Sequence, residues 1–314
     1  DGISVRSDLE GALHAAFPQR RMRIEAGSTV SLPEIFSNVA NKFLLKGYNA
    51  VERAYEQITD FGTTRDFKRK SSLALTGDYT FKRLGKGGEI EHGKPGEEKF
   101  GNQVDTFARM IEITRQDLIN DDLDALTKIP GLIGRGGALA FVEDFWDVWK
   151  DDANFFNADN ANLVAGADPA WYVMAKPDVL PAIESAFLNG QRSPVVESAQ
   201  ADFNQLGIQM RGYYDFGNEL QNYRGAVKSM DALDSASLTA AHLKLMAQTD
   251  PDGKPLGLSA GDLLLVVPYV YKYTADQLVS SAEIRNPAAG SAFGTANPHR
   301  GQFTVVSSQY LPSA

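Results

Sequence analysis

The stretch covering residues 85–122, GKGGEIEHGKPGEEKFGNQVDTFARMIEITRQDLINDD, limits what this chain can become more than any other. It opens with Gly85, Gly87, Gly88, Gly93, Pro95 and Gly96 set among charged side chains. Such a tip cannot fill a core and reads as a turn region. Before it, Leu73, Leu75, Tyr79 and Phe81 alternate with Ala74, Thr76, Asp78, Thr80 and Lys82, the period of a strand with one covered face. After it, Phe107, Ile111 and Ile113 keep the same alternation. The two runs predict a long antiparallel hairpin, residues 72–84 against 100–113, with few contacts to the core of its own chain. A two-stranded ribbon is marginal alone in water, so this arm needs a surface elsewhere, another copy of the chain being one candidate.

Composition narrows the chemistry. The 314 residues suffice for one large or two ordinary domains. With 43% hydrophobic and 23% charged residues the mix is globular. A net charge of -9 argues against tight binding to nucleic acid through phosphate neutralisation. Cysteine is absent, which removes disulfides, thiolate metal sites and cysteine nucleophiles. His14, His92, His242 and His299 stand far apart in sequence, without ligand spacing. No apolar run reaches the length of a membrane span.

Three apparent motifs fail on context. GLSAG, with Ser259 at its centre, spells a hydrolase pentapeptide but precedes the apolar run LLLVV, whereas a nucleophile elbow follows a strand. GLIGRGG lacks the lysine of a phosphate-binding loop, and its glycines read as a bare packing face. Asp250, Asp252 and Gly253 suggest a calcium loop whose closing glutamate is missing. Asp117, Asp121, Asp122 and Asp124 read as carboxylates offsetting a helix N-terminus.

In chain order, residues 1–30 read as an extended arm with Arg20, Arg21 and Arg23. Ser31, Pro33 and Glu34 start a helix, with Phe36, Val39, Phe43, Val51, Tyr55 and Ile58 at helical spacing. Residues 61–70 read as a polar connection. Thr114 and Asp117 cap a short helix to about Lys128, and Pro130 starts a longer one through Phe141, Phe145 and Trp149. Residues 171–175 read as a buried strand, 181–188 as a helix or bulged segment, SPVVESA as extended, and 205–223 as a long strand. Residues 238–246 read as a helix, 263–267 as a buried strand, 268–281 as a helix, 290–301 as a loop and 303–306 as a strand.

EIFSNVANKFLLKGYNAVE, the run from GGEIEHGKPGEEKFG to EITRQDLINDDL, LGLSAGDLLLVVP, SSAEIRNPA, FGTANPH, AFLNGQRSPVVESA and LGIQMRGYYDFG resemble the major capsid proteins of Mu-like tailed bacteriophages. The resemblance runs from about Leu32 onward and implies an α+β, Hong Kong 97-like phage capsid fold. It implies an N-terminal arm (1–33), a peripheral-domain helix and connection (34–70), an extended hairpin loop (71–114) and a spine-helix region (115–157). Axial-domain segments (158–204), a long peripheral strand (205–229) and an axial α/β domain (230–314) complete the division. It further implies a structural, non-enzymatic shell protein of the virion, assembled in a host bacterial cytoplasm and needing no cofactor. Its partners would be itself in hexamers and pentamers, a portal protein, a scaffold and a maturation protease, around DNA enclosed without sequence-specific binding. The loop would contact neighbouring subunits through Lys82, Lys86, Glu89, Glu91, Lys94, Glu97, Glu98 and Lys99. The chain opens on Asp1, and cleavage during head maturation is the expected origin of that end. The competing class is a small-molecule-binding or hydrolytic α/β protein using the last block.

The resemblance also implies a different chain order. In the family the block from WYVMAKP to AVKS closes the chain, after the block from DALDSASLTAA to SSQYL. Here they are exchanged, with junctions near Ala167–Asp168 and Ser229–Met230. The expectation is that Ala167 and Asp168, and likewise Ser229 and Met230, stand too far apart for a peptide bond, the written order then not being the covalent one. Ala314 should then lie near Asp168, and Ala167 near Met230.

Overall fold

The computed structural model describes residues 32–77, 95–114, 123–200, 207–251, 253–259, 261, 263–284 and 294–312. The chain forms two compact units. One comprises the residues up to Glu52 with Asp105–Phe141 and Gln191–Phe216, and the other comprises Arg53–Val104, Val142–Gly190 and everything from Gly217 onward.

In the first unit, helix α1 (Leu32–Tyr48) packs on strand β8 (Val195–Gln200). β8 pairs antiparallel with β9 (Gly207–Leu220), and β9 pairs on its other side with β4 (Asp105–Thr114) in an unbroken register from Asp105↔Phe216 to Thr114↔Gly207. Tyr48 and Tyr214 share a buried hydroxyl contact of 3.1 Å, and both hydroxyls donate to the Arg192 carbonyl. Phe141 packs edge-on against Phe216 at 4.9 Å. The bare glycine face is present: Gly134 lies against the Leu44 backbone and Gly47 against that of Gly131, so α1 and the following helix touch main chain to main chain.

That helix, α2 (Leu123–Asp151), corrects the expectation of two helices divided at Pro130. Proline inside a helix removes a hydrogen bond and costs about 3 kcal/mol. Here Pro130 is buried and the helix continues through it, into Phe145, Trp146 and Trp149, each at most 1% exposed. Burying such a side chain contributes about 1.5–3 kcal/mol, so tertiary packing outweighs the local break. The predicted capping residues at 114–122 lie, apart from Thr114, outside the described residues.

In the second unit, α1 is followed by a single 3-10 turn (Ala54–Gln57), where a continuing helix was expected. The hydrogen bonds tighten to Ala50 N–H→Gly47 O and Val51 N–H→Tyr48 O, which ends the α-helix, although Tyr55 and Ile58 stay buried. The supposed polar connection begins with a strand, β1 (Asp60–Thr64), parallel to β7 (Ile183–Leu188). β7 was expected as a helix or bulged segment. Residues 183–187 are buried on both faces of the strand, so no alternation marks it in the sequence. In strand order β7 is followed by β9, whose residues from Gly217 belong to this unit.

The remaining sheet runs in the order β14 (Phe303–Ser308), β11 (Leu263–Pro268), β6 (Trp171–Ala175), β10 (Ala226–Ser229), β5 (Leu163–Val164). β11 is buried at every residue, as its unbroken apolar run implies. Helix α3 (Ser235–Met246) lays Leu238, Ala241 and Leu245 on this sheet. Its start is fixed by Asp234, whose carboxylate accepts from Ala236 and Ser237 N–H. Helix α4 (Lys272–Ser280) follows a 3-10 turn after β11, and β12 (Glu283–Ile284) pairs with β13 (Thr295–Ala296).

Of the two expected proximities, that of Ala314 to Asp168 falls on a residue outside the described ones, whereas the chain at Asp168 does lie beside Met230. Asp168 N–H donates to Met230 O at 2.9 Å, and Asp168 shares a cavity wall with Leu311 and Pro312.

Candidate assembly site

The arm exists, in a shifted register. β2 (Lys70–Gly77) pairs antiparallel with β3 (Pro95–Asn102), from Lys70↔Asn102 to Gly77↔Pro95, as a separate two-stranded sheet. The expected partner, residues 100–113, is divided: only 100–102 belong to the arm, and β4 pairs with β9 instead. The division falls at Gln103 and Val104. Val104 is 1% exposed, and the Gln103 carbonyl crowds Gly217 so closely that no Cβ fits there. Phe107 then stacks on Phe216 at 4.2 Å, which explains why its alternation belongs to the β9 pair.

Of the expected loop contacts, Lys82, Lys86, Glu89, Glu91 and Lys94 lie outside the described residues, as do residues 1–31. Glu97, Glu98 and Lys99 stand in β3 opposite Leu75, Ala74 and Leu73.

The sequence reading missed the base of the arm. The Arg69 guanidinium pairs with the Glu219 carboxylate and lies across Gly101. Asn102 Nδ2 donates to Glu184 O at 3.1 Å, and Gln221 Nε2 donates to Gly101 O at 3.4 Å. Both strands are therefore tied where they leave the unit, β2 through Arg69 and β3 through Gly101 and Asn102. The Glu184 carboxylate sits against Gly62, where a side chain would displace it. Burial raises its pKa, Lys70 opposes that, and Asp60 and Glu219 add to it. Burial also raises the Glu219 pKa, against the pull of Arg69. Nothing in the sequence placed Glu184 here, because β7 itself was not recognised.

The residues singled out for an enzyme reading are placed as follows. Ser259 is exposed and precedes β11. His242 and His299 both pack against the Phe303 ring, at centroid distances of 5.2 and 6.2 Å. Among the described residues no group of three His, Asp or Glu side chains is placed to hold a metal. A cavity of about 650 Å³ is lined by Lys150, Asp168, Tyr172, Lys228, Tyr310 and others. One of about 330 Å³ is lined by Asp159, Arg224, Gln248, Asp250 and others. Neither wall carries a serine or histidine. Among the described residues no helix is long and apolar enough to cross a membrane.

Comparison with solved structures decides the fold. The structure aligns with the capsid of bacteriophage JBD30 over 96% of this chain and 98% of that one, at TM-score 0.66 and 13% identity. This is a phage capsid fold. The JBD30 procapsid matches the capsid fold over 87% of this chain and 98% of that one, at TM-score 0.62 and 16% identity. The JBD30 capsid decorated with minor capsid protein trimers matches over 96% and 98%, at TM-score 0.62 and 15% identity. In sequence, residues 97–168 and 154–229 match the family model described as phage capsid protein. No curated protein matches the sequence. The Hong Kong 97-like fold implied by the resemblance is thus the fold observed, in an α+β chain.

Proposed function

We propose that this chain is a major capsid protein whose copies assemble into the icosahedral head shell around a phage genome, and that its place is the virion. The observation that carries the reading is the agreement with a capsid subunit over nearly the whole chain. A ribbon standing apart as its own two-stranded sheet supports it, because such a ribbon gains stability only from a surface it is laid on. The acidic balance suits a wall that does not trap the DNA it encloses. In this reading the role is structural and no reaction is catalysed. The sheet around β11 with α3 and α4 serves as the axial domain, and α2 as the spine. Portal protein, scaffold and maturation protease act alongside, and the charged residues from Lys82 to Lys99 contact neighbours. Electron microscopy of purified protein over a range of concentration and salt tests it. Closed shells are expected, and monomers under every condition would overturn it.

A further inference from the structure

Strand β7 ends in a tight turn that carries a reactive pair. Asn189–Gly190 is the one asparagine–glycine step in the sequence. Both residues take positive φ, 52° and 73°, and both are exposed. Asparagine tolerates that region better than most side chains, because its short amide can bond locally. Here the amide does not do so. The Asn189 side chain makes no hydrogen bond among the described residues, and residues 183–199 around it are all described. Other asparagines are held: Asn102 Nδ2 donates to Glu184 O, Asn162 Nδ2 to Phe155 O at 2.9 Å and Asn297 Nδ2 to Leu278 O at 2.6 Å.

The main chain of the turn is held unevenly. Asn189 N–H donates to Thr64 O at 2.7 Å, which extends the β1–β7 pairing past Thr64↔Leu188. Gly190 N–H reaches Phe187 O only at 3.4 Å, beyond the usual range for such a bond. Gly190 has no Cβ to shield its nitrogen, and the nearest atom a Cβ would meet is Thr63 Oγ1 at 3.5 Å. A loosely held nitrogen and an unheld carboxamide are thus adjacent, and one long hydrogen bond opposes the peptide turn that brings them together.

We infer that Asn189 is a self-modification site, where the chain deamidates through a cyclic imide. The Gly190 nitrogen, as its proton leaves to water, attacks Asn189 Cγ and closes a five-membered ring. The Cγ–Nδ2 bond breaks, and the nitrogen takes up a proton and departs as ammonia. Water then opens the ring. Breaking the bond from the Gly190 nitrogen to Cγ gives aspartate, and breaking the bond to the main-chain carbonyl carbon gives isoaspartate. Nothing is oxidised or reduced. Either product adds a carboxylate to a chain already at -9. The inference stands apart from the shell reading and does not depend on it.

Peptide mass analysis of the purified chain, kept folded in neutral buffer for weeks, tests the site. Conversion at Asn189 is expected to outpace that at every other described asparagine by an order of magnitude or more, the advantage of an intramolecular attack that no side chain obstructs. Both aspartate and isoaspartate should appear. Aspartate alone would mean direct hydrolysis of the amide and would overturn the imide route. An intact Asn189 in the folded chain would overturn the proposal, and conversion of the same step in urea would then show that the turn protects it. As a second measure, Asn189→Gly removes the carboxamide and suits the positive φ. Its melting should match the parent, and the acidic species that accumulate on ion exchange should be lost. Acidic species persisting undiminished in that variant would place the reaction elsewhere.

Discussion

Gly134 on α2 meets the backbone of Leu44 on α1 so closely that a Cβ on the glycine would overlap the Leu44 carbonyl oxygen. The obstacle is main chain, so it cannot rotate away. Gly134→Ala gains helix propensity of about 1 kcal/mol but forces the helices apart, and overpacking costs about 1–3 kcal/mol. A net loss of stability is expected in urea titration. Gly136, two residues along the same helix, has open space where its Cβ would stand. Gly136→Ala is therefore expected to stabilise, by about 0.5–1 kcal/mol. Equal effects at the two positions would show that the close approach is not what requires Gly134.

These glycines also show what the sequence could and could not disclose. The run of four in GLIGRGG announced a bare face, and the alternation at Leu73 and Leu75 announced the arm. Both are local patterns that a single segment expresses. β7 expressed none, since Ile183 to Phe187 are covered on both faces. Pro130 sent a strong local signal that long-range burial overrode. The arm's register depended on Val104 and Gly217, far apart in the chain, and so could not be read from either run alone. The base of the arm was hidden for the same reason, because Arg69, Asn102, Glu184 and Glu219 meet only once the strands are placed.

Glu184 gives a pH dependence with a defined sign. Its folded pKa lies above its unfolded value, chiefly through burial. The folded state therefore holds the proton more tightly. The contribution to stability is full below the unfolded pKa and is lost as pH rises through the folded one. Glu184→Gln, which cannot ionise, should be more stable than the parent at neutral pH and should flatten this part of the profile. Urea midpoints measured from about pH 4 to about pH 7 check it. A variant less stable than the parent at neutral pH would contradict the assignment.

His242 runs the other way. Burial, with a smaller contribution from His299, lowers its pKa below the ordinary imidazole value. Its Nε2 is buried without a hydrogen-bond partner among the described residues. Stability is full above the unfolded pKa of about 6.5 and is lost as pH falls below it, because the unfolded chain takes up the proton first. His242→Phe should reduce that loss. Thermal melts at pH 7 and pH 5.5 should converge in the variant relative to the parent, and an unchanged difference would clear His242 of the effect.

Deleting residues 85–94 should separate folding from assembly. The ribbon forms a sheet of its own, so the two units keep their cores without its tip. The melting temperature is expected to stay within a few degrees of the parent, a change of less than about 1 kcal/mol. Shell formation in the same preparation should be lost. Shells of normal size from the shortened chain would remove the arm from the assembly mechanism.

The last prediction concerns connectivity. Ser229 stands beside Val164 in the parallel β5–β10 pair, and Met230 N–H continues the pairing to Val164 O at 3.0 Å. Asp168 N–H donates to Met230 O at 2.9 Å, so the chain entering 167 and the chain leaving 230 are already neighbours. Leu311 and Pro312 line the same cavity as Asp168. Residues 313 and 314 with the new bond to 168 can bridge up to about 10 Å. The two matches to the family model, 97–168 and 154–229, overlap at this point and leave 230–314 outside. A chain rebuilt in the order 1–167, 230–314, 168–229 replaces two connections by two others, the one from 167 to 230 between neighbours in the fold. Rearranged chains keep a fold when the joined ends lie close. The rebuilt chain should therefore fold with the same circular dichroism spectrum, melt within a few degrees of the parent and form shells of the same diameter. Insoluble protein, or a soluble chain without a cooperative melt, would show that the written connections at 167–168 and 229–230 are required for folding.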